Sequence, residues 1–160
     1  MDSELKNDCE KALKQLFKNS QLDEVVFGTE SSPILLKFKN VDRSDHQPRD
    51  VWLNIESKWD IFPPGETHYP DSEDEMRALT KEEVSHIVFP LQREKVVDVR
   101  VGETVPHLFL VFQSGQTLFV NGHHRMYECW QAGDGIEHAG DQWLIVATPG
   151  DDIAIWAPSE

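Results

Sequence analysis

The apolar positions near the start of the chain recur at spacings of three and four residues. Leu5, Cys9, Leu13 and Leu16 lie on one side of a helical wheel, and most of the lysines fall between them. This period is typical of an amphipathic helix packed against a sheet. The sequence therefore predicts a helix over residues 4–18, within an N-terminal helical segment of residues 1–20.

Beyond residue 20 the apolar period changes to two, which is typical of strands with one buried face. Strands are predicted over residues 24–27, 34–39, 51–57, 97–101, 107–112, 117–120, 126–131, 143–147 and 153–156. The segment 107–112 is apolar on both faces, which indicates a central strand. Ser114-Gly115 predicts a tight hairpin, and Pro149-Gly150 fits the centre of a type II turn.

Between the two groups of strands lies a segment that is both acidic and helical in pattern. Ser72 is followed by Glu75 and Thr80 by Glu83, and a hydroxyl three residues before Glu is a helix-start signal. Short helical turns are therefore predicted near 73–79 and 81–87. We name residues 66–90 the acidic connector.

These elements predict an α+β fold in a single domain of residues 1–160. A mostly antiparallel, strand-rich sheet or half-barrel carries the N-terminal helix packed on it. The domain then consists of the helix (1–20), a first strand block (24–62), the acidic connector (66–90) and a second strand block (95–157).

The two strand blocks are similar to each other. Val26 and Trp59 are matched by Val97 and Trp130, each 71 residues later. The loops differ in length, so an internal duplication and a coincidence among β-hairpins both remain open. A duplication predicts two similar three-strand units that form one pseudo-symmetric sheet or half-barrel.

Four short motifs follow one another in the second block. They are an apolar strand at 110–112, a Phe-x-x-Gly turn ending at Gly115, Leu-x-Val at 118–120 and Tyr-Glu-x-Trp at 127–130. This succession resembles a group of small bacterial domains that includes immunity proteins of toxin systems. An earlier strand of those domains ends in Ser-x-Trp, as residues 57–59 do here. The resemblance covers about residues 35–130, departs from the group at the polar loop 121–125, and implies a binding role with no catalytic residue.

The net charge of the chain restricts the classes of molecule that it can bind. It carries 15 basic and 29 acidic residues, a formal net charge of −14. Such a surface repels nucleic-acid phosphates and anionic membranes, and it favours a basic protein, for example a nuclease-like toxin. The two cysteines and the absence of a long apolar run predict a cytoplasmic protein. The oligomeric state stays open.

Two acidic segments are the candidate docking surface for that partner. Residues 66–83 hold seven acids against Arg77 and Lys81, and the loop 134–141 adds three more. The residues predicted to bind the partner are Glu66, Asp71, Glu73, Asp74, Glu75, Asp134, Glu137 and Asp141. A merely solvated acidic helix face is the alternative that remains open.

The residues that could perform chemistry do not form a recognisable motif. His123, His124, Glu128 and Cys129 are possible metal ligands, but adjacent residues on a strand point to opposite faces. The glycine-rich run at 132–141 is acidic and precedes a strand, which excludes a phosphate-binding loop. No catalytic residue, metal or cofactor is therefore predicted.

Two other classes of function remain open at this level. One is a small enzyme or ligand-binding domain with a pocket built from Trp52, His123 and Glu128. The other is a subunit of a larger assembly.

Overall fold

The computed structural model describes residues 1–27, 34–42, 47–135 and 141–158. Within these ranges the chain forms two α-helices, two short 3-10 turns and ten strands. The helices are α1 (Ser3–Phe17) and α2 (Lys81–Val88), and the 3-10 turns are Glu73–Glu75 and Phe89–Leu91. The strands are β1 (Gln21–Phe27), β2 (Ile34–Lys39), β3 (Asp50–Ile55), β4 (Trp59–Phe62), β5 (Val96–Val101), β6 (Leu108–Phe112), β7 (Thr117–Val120), β8 (Trp130–Asp134), β9 (Leu144–Thr148) and β10 (Asp152–Trp156).

Helix α1 forms where the three-and-four spacing predicts it. Asp2 caps its start, because the Asp2 carboxylate accepts a 2.7 Å hydrogen bond from the Leu5 N–H. Its buried side chains include Cys9, Leu13 and Phe17. The helix contacts β5, β8, β9 and β10, so the predicted packing of the helix on sheet strands is confirmed.

The strands form two antiparallel sheets, which confirms the α+β prediction. The six-stranded sheet has the order β1-β2-β3-β8-β9-β10, and the four-stranded sheet has the order β4-β7-β6-β5. A bridge between Gln21 and Lys95 joins an edge of one sheet to an edge of the other. The Val96 N–H donates to the Ser20 carbonyl at the same junction. The two sheets are therefore partly closed upon each other.

The two predicted units have the same register. In the first unit Leu22 of β1 pairs with Phe38 of β2, and in the second Val96 of β5 pairs with Phe112 of β6, in each case 74 residues later. A register shift follows Leu22 in one unit and Val96 in the other. Each unit is thus a three-strand antiparallel meander with a bulge at the same place in its first strand.

The strand that follows each three-strand unit in the chain completes the sheet of the other unit. β4 begins at Trp59 and pairs with β7, where Trp59 lies opposite Val120. β8 begins at Trp130 and pairs with β3, where Trp130 lies opposite Ile55. We refer to this arrangement as the strand exchange. The match of Trp59 with Trp130 is thereby confirmed in structural terms.

The match of Val26 with Val97 is wrong. In the shared register Val26 pairs with Leu35, and the equivalent pair in the second unit is Arg100 with Phe109. Val97 lies in the bulge and is 41% exposed, because the register shift turns its side chain away from the core.

The strand predicted over residues 126–131 is also largely wrong, since β8 begins only at Trp130. His124 Nδ1 accepts from the backbone N–H groups of Met126 and Tyr127, at 2.9 and 3.2 Å. A side chain thus satisfies donors that a strand would use in its ladder. Gly133, which the sequence assigns to a loop, lies inside β8. The position requires glycine, because a Cβ there would collide with the Trp143 carbonyl and the Trp52 ring.

One hydrophobic core contains residues from both sheets and both α-helices. Cys9 and Cys129 are buried free thiols, and burial raises the pKa of each to about 12. No helix in the described part of the chain is both long and apolar enough to cross a membrane.

Candidate functional site

The acidic connector is attached to the outer face of the four-stranded sheet by aromatic rings. Tyr69 stacks on Phe119 of β7 at 5.6 Å between centroids. It also contacts Phe62 of β4 and Phe109 of β6 edge-on, each at 5.0 Å. Phe119 points away from the main core, yet it is fully buried. The connector therefore forms a second apolar layer with this sheet.

His107 ties the connector to a neighbouring loop. Its Nδ1 accepts from the Gly122 N–H at 3.0 Å, and its Nε2 lies 3.1 Å from the Asp71 carbonyl. The ring packs against Phe119 at 5.1 Å between centroids. Burial lowers the pKa of His107 below its ordinary value.

Lys58, in the link from β3 to β4, holds the middle of the connector. Its ammonium group donates to the backbone carbonyls of Glu73 and Met76, at 3.3 and 3.2 Å. Its own N–H donates to the Glu73 carboxylate at 3.3 Å. At the far end a capping box between Thr80 and Glu83 begins α2, as the sequence predicts. The connector consequently has a defined path along the sheet.

Residues 121–129, which we name the His loop, are fixed by hydrogen bonds. The fully buried Asn121 donates to the His123 carbonyl and accepts from the His123 N–H. The His124 ring stacks on Tyr127, and the Tyr127 hydroxyl donates to the Glu73 carboxylate at 2.9 Å. The loop therefore lies against the acidic connector, and at its tip Met126 is 82% exposed.

Glu56 lies beside the His loop, and Glu128 within the loop shares a hydrogen-bond donor with it. The Gln131 side-chain amide donates to Glu56 at 2.6 Å and to Glu128 at 3.0 Å. Both acids are exposed. One amide group thus holds two carboxylates next to Tyr127 and Met126.

The predicted docking acids of the connector differ in their exposure and in the hydrogen bonds that their carboxylates accept. Asp71, Asp74 and Glu75 are exposed, although Glu75 also accepts from the Asp71 N–H at 2.7 Å. Glu66 is half-buried and accepts from the His68 N–H. Glu73 is half-buried, and its carboxylate joins the connector to Lys58 and Tyr127.

The acids predicted at 134–141 lie in a different setting. Asp134 is 7% exposed, and its carboxylate accepts from the N–H groups of Gln142 and Trp143, both at 2.9 Å. It therefore holds the start of β9 in place, and we leave it out of any docking surface. Asp141 is exposed, and Glu137 lies outside the described residues. Among the described residues, no hydrogen bond or ion pair joins the segment 134–141 to the acidic connector.

Sequence reasoning did not assign Met126, Tyr127, Glu56 or Glu128 to a docking surface. The signal that could have found the first two is the polar run NGHHR at 121–125, which interrupts the strand pattern before them. The pairing of Glu56 with Glu128 depends on the strand exchange, which places β8 beside β3.

The residues of the proposed ligand pocket are not brought together. Trp52 Nε1 donates to the Asp134 carbonyl, whereas His123 Nδ1 lies 2.6 Å from Asp151 and Glu128 bonds to Gln131. Within the described ranges no three His, Cys, Asp or Glu side chains are placed to hold a metal ion. The raised pKa of Cys129 keeps its thiol protonated near neutral pH, unlike a nucleophilic cysteine.

Comparisons of the chain with protein-family models, with curated proteins and with solved structures find no match.

Proposed function

We propose that the protein is an acidic binding module of the immunity type, which docks and neutralises a basic protein such as a nuclease-like toxin in the cytoplasm. The observation that carries the proposal is a fixed surface with exposed apolar side chains among carboxylates. We call it the docking face. Its residues are Glu56, Asp71, Glu73, Asp74, Met126, Tyr127 and Glu128.

The charge of the docking face has little internal compensation. Within the described chain no ion pair joins a lysine or arginine to any carboxylate of this face, whereas Arg77 nearby pairs with Asp60 and Glu83. The Lys58 ammonium donates to two backbone carbonyls, and Arg125 is exposed next to Met126. A basic partner would gain electrostatically steered association from such a face.

The apolar part of the docking face fits the usual anatomy of an interface. Binding energy is concentrated in a few large side chains surrounded by polar groups. Met126 is 82% exposed, and Tyr127, whose ring is held by His124 and Glu73, is 37% exposed. Because the loop is already fixed by hydrogen bonds, little conformational entropy remains to be lost when a partner binds.

The partner can be recovered and characterised in one experiment. The protein is immobilised, exposed to an extract of its own cells at low salt, and eluted with rising salt. The eluted protein is identified by mass spectrometry, purified and assayed for nuclease activity with and without this protein. We expect a basic protein whose activity is inhibited by an equimolar amount.

The first prediction uses that partner and tests the docking face by charge reversal. Asp71→Lys with Asp74→Lys should slow association about tenfold at about 0.05 M salt and much less at about 0.5 M, because salt screens steering. These two acids are chosen because their carboxylates make no hydrogen bond or ion pair to the described residues, unlike that of Glu73. The matched control is Glu4→Lys with Asp8→Lys on the exposed side of α1, which changes the net charge equally.

The same binding measurement tests the contribution of Met126, the most exposed apolar side chain of the docking face. Met126→Ala should raise the dissociation rate about tenfold with little change in the association rate. Trp156→Ala is its control, since Trp156 is 57% exposed at the end of β10 that lies away from the His loop. Unchanged kinetics in both the charge-reversed and the Met126 variants would overturn the proposed function.

A further inference from the structure

The hydrogen bonds of His107 fix which ring nitrogen carries the proton. The Gly122 N–H can only donate, so Nδ1, 3.0 Å away, accepts with its lone pair. The Asp71 carbonyl can only accept, so Nε2, 3.1 Å away, carries the hydrogen and donates. A neutral imidazole in this tautomer satisfies both contacts, whereas the imidazolium ion has no acceptor nitrogen.

A proton on Nδ1 would place two N–H groups opposite each other. Gly122 has no room to retreat, because its α-carbon already lies so close to the Pro106 carbonyl that a Cβ would not fit. The Pro106 carbonyl is itself held by the indole N–H of the buried Trp130, at 2.9 Å. The ring must therefore move, and its movement withdraws the donor from the Asp71 carbonyl.

Some groups around His107 lower the pKa of its ring and others raise it. Burial is the largest influence and lowers the pKa, and His123 adds to this effect. Asp71 of the connector and Asp151 of the β9–β10 turn favour the charged ring. Phe119 packs on the ring, and Tyr69 packs on Phe119. Because the pKa in the folded state lies below that in the unfolded chain, the two hydrogen bonds are kept at neutral pH and lost as the pH falls through the lower value.

We propose that His107 is an acid-sensitive latch, which holds the acidic connector against the His loop while its ring is neutral and releases Asp71 when the ring is protonated. The released segment includes Asp71 and precedes Asp74, both on the docking face. The consequence for partner binding rests on the proposed function, but the latch is a property of the free protein. Acidification would then loosen the docking face while the main core stays folded.

The test measures the free protein by NMR, with no partner present. Long-range nitrogen–proton spectra at about pH 7.5 should show a His107 ring with an unprotonated Nδ1 and a protonated Nε2. Between about pH 7.5 and the pH at which the His107 ring is protonated, hydrogen-exchange protection should fall about tenfold after correction for intrinsic rates at Gly122 and Asp71, whose N–H groups donate to His107 and Glu75. Protection in β6, one of the two inner strands of the four-stranded sheet, should not change.

Two variants separate the latch from general packing. His107→Gln keeps a donor and an acceptor that do not titrate, so its protection at Gly122 and Asp71 should be independent of pH over the same range. His107→Phe keeps a ring against Phe119 but makes neither hydrogen bond, so these amides should exchange quickly at both pH values. A protonated Nδ1 at neutral pH, or unchanged protection while His107 titrates, would overturn the latch. If the NMR results are as expected but the parent protein binds no basic partner, only the proposed function is overturned and the latch stands.

Discussion

Phe112 occupies the core at the end of β6 and is 1% exposed, opposite Val96 of β5. Phe112→Ala should cost about 3–5 kcal/mol of the free energy of unfolding, because it removes a large buried ring and leaves a cavity. Phe89, at 74% exposed, provides the control, and Phe89→Ala should change stability by less than about 0.5 kcal/mol. Urea melts of both variants decide the matter, and equal small costs would place Phe112 outside the core.

Asp134 and Asp71 show what sequence can and cannot predict about a single acid. Both were predicted to dock a partner, on charge and loop composition alone. Asp134 is instead buried, and it accepts from the N–H groups of Gln142 and Trp143. Whether a carboxylate accepts hydrogen bonds from backbone N–H groups or faces solvent depends on the conformation of its loop. Local sequence does not determine that conformation.

At the scale of elements, the connector depends on one aromatic ring for its attachment. Tyr69→Ala should expose Phe119 and free the connector from the four-stranded sheet, because the ring contacts Phe62, Phe109 and Phe119. Limited proteolysis between residues 63 and 80 should then become at least about tenfold faster, since cleavage follows local opening. Tyr127→Phe, which keeps a ring but loses the hydrogen bond to Glu73, should have a smaller effect. Equal cleavage rates for Tyr69→Ala and the parent protein would mean that other contacts hold the connector.

The bounds of an element can be predicted where side-chain alternation or a turn motif alone determines them. β2 has the predicted bounds, and the hairpin at Ser114-Gly115 forms with Gly115 at a φ of 90°. β4 was not predicted as a separate strand, and the strand exchange could not be predicted at all. Alternating side chains reveal which face of a strand is buried, but they do not reveal which strand lies next to it.

At the scale of the whole molecule, each half of the chain lacks a neighbour that the other half supplies. β4 requires β7, and β3 requires β8, so neither sheet is complete within one half. Gly65 is a suitable place to divide the chain, since a Cβ there would meet nothing within 4 Å. We expect fragments 1–64 and 65–160 to show no cooperative thermal unfolding alone and to recover it when mixed in equal amounts. A cooperative transition in either isolated fragment would show that its strands are sufficient without the exchange.

Such a pair of fragments would behave as an obligate heterodimer, and the acidic connector would be its tether. A covalent tether replaces bimolecular association by an intramolecular one, at an effective concentration in the millimolar range for short linkers. The connector would thus have two separable effects, since it keeps the halves together and also carries docking acids. Fragment complementation would measure the first effect without the second. The midpoint of melting of the mixed fragments should rise with their concentration, whereas that of the intact chain should not.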